Sequence, residues 1–382
     1  MAKNILFHIG DAKTGTSSIQ QVLFGKSWSC DTVSVDYTKV VNSFSLANAL
    51  LEGVKDEKMK AQIKGLRKWL RGSEADLAVV SSEQFGPLSP VALQVFLKNT
   101  LPNYADQARV VAYVRPHVSR FISSYLQRTK TGIFFDDIAS YAAHKSSFTA
   151  LSYAPRFMAW RAVFGDRFVL RPMVRSALRD GDVVADFLHT ILNGAPFQVT
   201  EAKVANESLT VEALSAVIAV QAELKSANIA KPFRHLVGAE LNSKIVERRV
   251  GPGLKMRITP QICDMISNKF REDARLLDQN FFDSSLMEQA LDDAQSETVD
   301  VLPSIDLHHH FSAENIAQMQ ELTRALTNEL ALSPTNWRHS ILQRKGRAQK
   351  ASANEAKRVK VEEGAAPINA LLDRLAERIV DR

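Results

Sequence analysis

The segment Ile5 to Gln20, ILFHIGDAKTGTSSIQ, constrains the chain more than any other. Ile5 to Ile9 is a short continuous apolar run, which reads as a buried strand, and Thr16 to Phe24 has the spacing of the helix that follows it. Between them Gly10 and Gly15 allow a tight turn whose amide N–H groups point inward at a helix N-terminus. Thr16, Ser17 and Ser18 add hydroxyl donors, so the turn can hold a phosphate. Gly10 and Gly15 have the spacing of the nucleotide-binding pattern GxxxxGK[ST], but Thr16 stands where its lysine belongs. The lysine comes earlier, at Lys13. That displacement argues against ATP hydrolysis and keeps the phosphate cradle. The plain alternative is a turn that only caps its helix with Thr or Ser.

Three further apolar runs, Leu77 to Val80, Arg109 to Val114 and Phe168 to Leu170, repeat the buried-strand pattern. Helical spacing fills the intervals, over Asp56 to Trp69, Pro90 to Lys98 and Val118 to Lys130. Buried strands alternating with helices predict a parallel sheet covered on both faces, with its site at the carboxyl ends of the strands. No strand is expected after residue 172. Asp182 to Leu192, Leu209 to Ser226, Pro260 to Leu277 and Ala313 to Leu332 are amphipathic with a period near 3.6, so the C-terminal half is expected to be mostly helical. The reading is an α/β domain over 1–280 (helical from about 180), a helical extension over 281–342, and a charged linker with a last amphipathic helix over 343–382.

The chain has 382 residues and a formal net charge of +6, a balance that suits anionic ligands without choosing among them. Its 2 cysteines, Cys30 and Cys263, are too few for a disulfide framework and lack zinc-type spacing, so they read as free thiols in a reducing compartment. The N-terminal apolar run is too short for a signal segment, and no stretch approaches the roughly twenty apolar residues of a membrane span. A cytoplasmic protein without a nucleic-acid partner is expected.

A second motif follows the third strand: Arg115-Pro116, then His117, Ser123 and Tyr125. An arginine at a strand end and a helix-borne serine eight positions on can grip an anion by charge-assisted hydrogen bonds; the bland reading is a strand end and a surface serine. Ser81-Ser82-Glu83-Gln84 follows the second strand, and Glu83 there could accept the proton of a hydroxyl, or simply cap the next loop. His117 is the second candidate base, and His8, inside the first strand, reads as a core or supporting histidine. Arg248-Arg249 before Gly251 and Gly253 could meet an anion or form a flexible basic loop. His308 to His310 lack a fourth ligand at useful spacing, and no metal site is expected.

Together the two motifs resemble the sulfotransferase superfamily that uses 3′-phosphoadenosine 5′-phosphosulfate (PAPS), a P-loop-like three-layer α/β fold. The nearest flavour is the bacterial group with HIGxxKTGT-type openings, whose fold core is shared with the heparan sulfate sulfotransferases. Weaker echoes are Trp160 to Gly165 before a strand ending Arg171-Pro172, then Asp186-Phe187-Leu188 and Asn206 to Leu209. The resemblance spans roughly residues 4–280. It implies that Lys13, Thr14, Gly15, Thr16, Ser17 and Ser18 bind the 5′-phosphosulfate and Arg115 and Ser123 the 3′-phosphate. Arg249 is a further candidate contact to the same co-substrate, and Glu83 takes the place of the base used by several members. The acceptor implied is a hydroxyl, of a carbohydrate or a glycolipid. Arg344-Lys345-Gly346 matches a segment of the cytosolic members but lacks its neighbours, so coincidence is preferred. The rival readings are a divergent P-loop kinase or NTPase, which would need an aspartate after a strand to hold Mg²⁺, and a non-catalytic nucleotide- or polyanion-binding protein.

Overall fold

The structure is a computed structural model that describes residues 1–11, 13–53, 57–144, 147–200, 209–332, 334–344 and 355–381. Five strands form one wholly parallel sheet: β1 (Asn4–His8), β3 (Val35–Tyr37), β4 (Leu77–Ser81), β5 (Arg109–Val114) and β6 (Phe168–Pro172). Their order is β3-β4-β1-β5-β6, so β1 is central. β4 and β5 flank it on opposite sides, and the chain crosses over β1 in passing from one to the other. Such a switch in strand order opens a crevice at the carboxyl ends of the strands, and the loop after β1 lies there. β2 (Trp28–Ser29) and β7 (Gln198–Val199) pair antiparallel as a separate ribbon.

Side chains alternate across the sheet, as strand geometry requires. Leu6, Val79, Val111 and Tyr113 point to one face, where Ile19, Val22 and Leu23 of the helix Thr16–Gly25 and Phe187, Leu188 and Ile191 of the helix Val183–Ile191 cover them. On the other face Phe7 meets Phe85 edge to face, with ring centroids 5.7 Å apart. Farther along, Phe168 of β6 stacks on Phe157 and Trp160 of the helix Ala154–Phe164. Burial on both faces explains why the strands are continuous apolar runs. This is a P-loop-like α/β architecture followed by a mostly helical C-terminal half.

The chain divides into two compact units, and the sheet lies in the first: Met1–His117, Ala150–Ala205 and Ser267–Asp293. The second comprises Val118–Thr149, Asn206–Ile266 and Ala294–Arg382. Its helices include Val211–Ser226, Lys231–Arg248, Ala313–Leu332 and Glu355–Val380. The last buries Ile368, Leu372, Leu375 and Ile379, one stripe at helical spacing, and Trp337 Nε1 donates to Asn369 Oδ1. Gly238 admits a neighbouring backbone: a Cβ there would lie 1.9 Å from the Lys130 carbonyl oxygen.

One expectation is corrected, and one strand of the sheet was not anticipated. β7 is a strand beyond residue 172; two residues long, with no apolar run, it exists only through its pairing with β2. β3 extends the sheet by an edge strand that had no apolar run to announce it, its three residues all half-buried. Asp56, Asn206 to Ser208 and Lys345-Gly346 lie outside the described residues. Neither Cys30 nor Cys263 is in a disulfide, and among the described residues no helix is long and apolar enough to cross a membrane.

Candidate active site

The loop after β1 is held in an unusual backbone conformation. Lys13 has φ 71° and Gly15 φ 76°, both left-handed. Left-handed residues alternating with others turn successive N–H groups to one side, making a concavity suited to an anion. Gly15 then caps the helix Thr16–Gly25 and accepts the N–H groups of Ser18 and Ile19 at 3.0 and 3.2 Å. Thr14 Oγ1 donates to the Asp11 carbonyl at 2.6 Å and braces the turn from inside. The glycines are forced by their neighbours. A Cβ on Gly10 would sit 2.3 Å from Thr16 Oγ1, and one on Gly15 2.6 Å from Val183 Cγ1.

Neighbouring strand ends close on this loop. Arg115, just past β5, donates from Nη1 to the Lys13 carbonyl at 3.1 Å. Ser82, just past β4, donates its N–H to the His8 carbonyl, and its side chain caps the Glu83–Phe85 turn by accepting from Gln84 N. A Cβ on Gly86 would lie 3.3 Å from the Gly10 carbonyl oxygen, so this turn packs against the loop. Lys13, Gly15, Thr16, Glu83 and Arg115 thus belong to one neighbourhood of the first unit. Thr16 is buried, and its hydroxyl has no hydrogen-bond partner among the described residues. Inward N–H groups, hydroxyls, a lysine and an arginine form a donor set that fits a phosphate or sulfate group.

Ser123 and Arg249 lie in the second unit. Ser123 is half-buried on the helix His117–Lys130. Arg249 closes the helix Lys231–Arg248 and, with Arg248, Gly251, Gly253 and Thr210, lines a cavity of about 240 Å³. Arg248 is itself engaged by Asp373. The consecutive histidines form a short turn in which His309 Nδ1 meets Ser304 Oγ at 2.6 Å and His310 Nε2 meets the Ser304 carbonyl at 2.7 Å.

The expectation that His117 could act as a base meets a core residue. Its imidazole is 0 % exposed, stacked on Phe270 and tilted against Tyr153, and Nε2 bonds Asp273 Oδ2 at 3.0 Å. Asp273 also accepts the N–H groups of Tyr153 and Ala154, so the pair ties helix ends together. A ring enclosed in this way offers no face to an acceptor.

His8 is the core histidine its position suggested. Nδ1 is 2.9 Å from Ser81 Oγ, which also accepts from Gln20 Nε2 at 3.0 Å. Desolvation lowers its pKa from 6.5 to about 3, so it is neutral near neutral pH. Tyr113, which meets the His8 ring edge to face, donates to Asp186, an acid that is fully buried yet ionised. Burial pushes the carboxyl up, but Arg171 through Nε and Nη2, the Tyr113 hydroxyl and the Arg179 N–H outweigh that and hold it below its usual value.

Sequence reasoning missed Arg156. It binds Asp11 of the loop with both terminal nitrogens, Nη2 to Oδ2 at 3.0 Å and Nη1 to Oδ1 at 3.4 Å. No local signal marked it, since the arginine lies 145 positions from the acid it pairs with.

No family model matches the chain, and no curated protein matches it. Among solved structures it is similar to a sulfotransferase from Alicyclobacillus acidocaldarius, with a TM-score of 0.40 and 13% identity over 73% of this chain and 96% of that one.

Proposed function

We propose that the protein is a sulfotransferase that moves the sulfuryl group of PAPS to an acceptor hydroxyl of a carbohydrate or glycolipid. The observation that carries this reading is Lys13 within a left-handed turn whose carbonyl is braced by Arg115. A P-loop kinase places its lysine on the helix instead.

In the proposed reaction the acceptor oxygen forms a bond to sulfur as the bond from sulfur to the bridging phosphate oxygen breaks. The acceptor proton passes to Glu83, and the leaving charge stays on the 5′-phosphate. Lys13 and the hydroxyls of Thr16 to Ser18 stabilise that charge, which builds up most in the transition state. Arg115 binds the 3′-phosphate that distinguishes this donor from ATP, and the sequence resemblance implies the same role for Ser123. Glu83, half-buried at the start of its turn, is the sole candidate base in this proposal, since His117 is enclosed. The net charge of +6 favours an acceptor that carries negative charge.

Titration calorimetry with adenosine 3′,5′-bisphosphate against ATP with Mg²⁺ tests the donor. Binding of the bisphosphate without binding of ATP is expected, and the reverse would support a kinase. Release of the bisphosphate from PAPS in the presence of glycan or glycolipid acceptors then separates an enzyme from a sensor.

A further inference from the structure

Asp11 is a liability in an anion-binding loop. It is 8 % exposed and two positions before Lys13, where a carboxylate would repel any phosphate held by the turn. Water screens it poorly at that depth. Arg156 answers it from the helix Ala154–Phe164, with the paired geometry in which a guanidinium meets a carboxylate best. The guanidinium also lies over the Phe157 ring, 4.6 Å from its centroid, which fixes its plane. Its Nε is buried and makes no hydrogen bond among the described residues, so the bonds to Asp11 are what its polar atoms contribute.

We propose that Arg156 is a positioning residue for anion binding: it neutralises and pins Asp11, so that a phosphate entering the 10–18 loop meets a positive site. The proposal rests on the donor reading given above. Arg156 directs both terminal nitrogens to Asp11. It acts through Asp11, which makes a specific genetic signature: removing the carboxylate should make the arginine dispensable.

The test is a double-mutant cycle on the full chain, read by calorimetric affinity for adenosine 3′,5′-bisphosphate and, separately, for inorganic pyrophosphate. Arg156→Gln should weaken both ligands by about tenfold or more, because a buried carboxylate is left uncompensated beside the anion. Asp11→Asn should bind at least as tightly as the wild type. The combined Asp11→Asn, Arg156→Gln protein should return to within about threefold of the wild type, a coupling far outside simple additivity. A merely structural arginine would leave the double variant as weak as Arg156→Gln, since both lack the same stacking on Phe157, and that result overturns the proposal. So does an Arg156→Gln protein that binds like the wild type. Should Arg156→Gln not fold, Arg156→Lys keeps the charge without the paired geometry, and the same rescue by Asp11→Asn is required of it. Wild-type binding of pyrophosphate without the bisphosphate would defeat the PAPS reading while the pyrophosphate cycle still decides the role of Arg156. Wild-type binding of neither would defeat both.

Discussion

Arg115 Nη1 donates to the main-chain carbonyl of Lys13 at 3.1 Å, so the arginine at the end of β5 braces the loop that follows β1. The residue implied for a second phosphate therefore also shapes the first. Replacing Arg115 with alanine should weaken both adenosine 3′,5′-bisphosphate and inorganic pyrophosphate, by about tenfold or more each. Ser123→Ala should weaken the bisphosphate and leave pyrophosphate unchanged. Lys13→Ala should abolish transfer with a normal melting curve, because its half-buried side chain is not part of the core. Calorimetry with the two ligands and a PAPS turnover assay check all three, and retained turnover in Lys13→Ala would remove the central claim.

Gly10 supplies a sharper test of the loop. An alanine Cβ would sit 2.3 Å from Thr16 Oγ1, and overpacking of this kind costs about 1–3 kcal/mol. Gly10→Ala is expected to melt several degrees lower, by about 2–4 °C per kcal/mol for domains of this size, and to lose ligand binding. Adding Thr16→Ala removes the clash, so melting should recover. Binding should not, because the hydroxyl assigned to the anion is gone. Recovery of both would show that the Thr16 hydroxyl plays no part in binding.

His8 sets a pH signature. Its folded pKa of about 3 lies below the 6.5 of an unfolded histidine, so at mildly acidic pH the unfolded chain binds the extra proton. Its neutral form supports the fold fully above pH 6.5, and that support is lost as pH falls from there toward 3. The slope from one such group is at most about 1.4 kcal/mol per pH unit. His8→Gln should be less stable than the wild type at pH 7, and the gap should narrow toward pH 4. Urea unfolding at several pH values measures it, and a constant gap would mean that His8 titrates alike in both states.

Much of the first unit was legible because burial on both faces writes strands as apolar runs. Arg109 to Val114 matches β5 residue for residue, and the turn at Gly10 to Ser18 lies at the switch in strand order. β3 was not legible, since an edge strand is half-buried and needs no such run. Nor was β7, which owes its form to a partner about 170 positions earlier in the chain. The fate of His117 depended on which rings would enclose it, and Phe270 and Tyr153 are distant in sequence. Arg156 was hidden for the same reason, 145 positions from Asp11. Local spacing locates a loop, while the charges that tune it come from tertiary contacts.

Asp186 tests whether the cluster on the helix Val183–Ile191, whose Val183 packs against Gly15, supports the fold alone or also positions the loop. Arg171 holds both of its carboxylate oxygens, at 3.0 and 2.6 Å, and Tyr113 donates to one of them at 2.6 Å. Arg171→Met would leave a fully buried acid with only the Tyr113 hydroxyl and the Arg179 N–H, a loss expected to cost about 3 kcal/mol. The sign of its pH dependence follows from the lowered pKa of Asp186 in the wild type. The ionised pair supports the fold above the unfolded value of 3.8 and fails as pH drops through the lower folded one. In Arg171→Met burial dominates and the acid titrates higher, so the gap between the two proteins should close as pH falls below about 4. If the cluster supports the fold alone, affinity for the bisphosphate at neutral pH should be unchanged within about twofold. A loss of affinity matching that of Arg115→Ala would instead mean that the Asp186 cluster positions the loop.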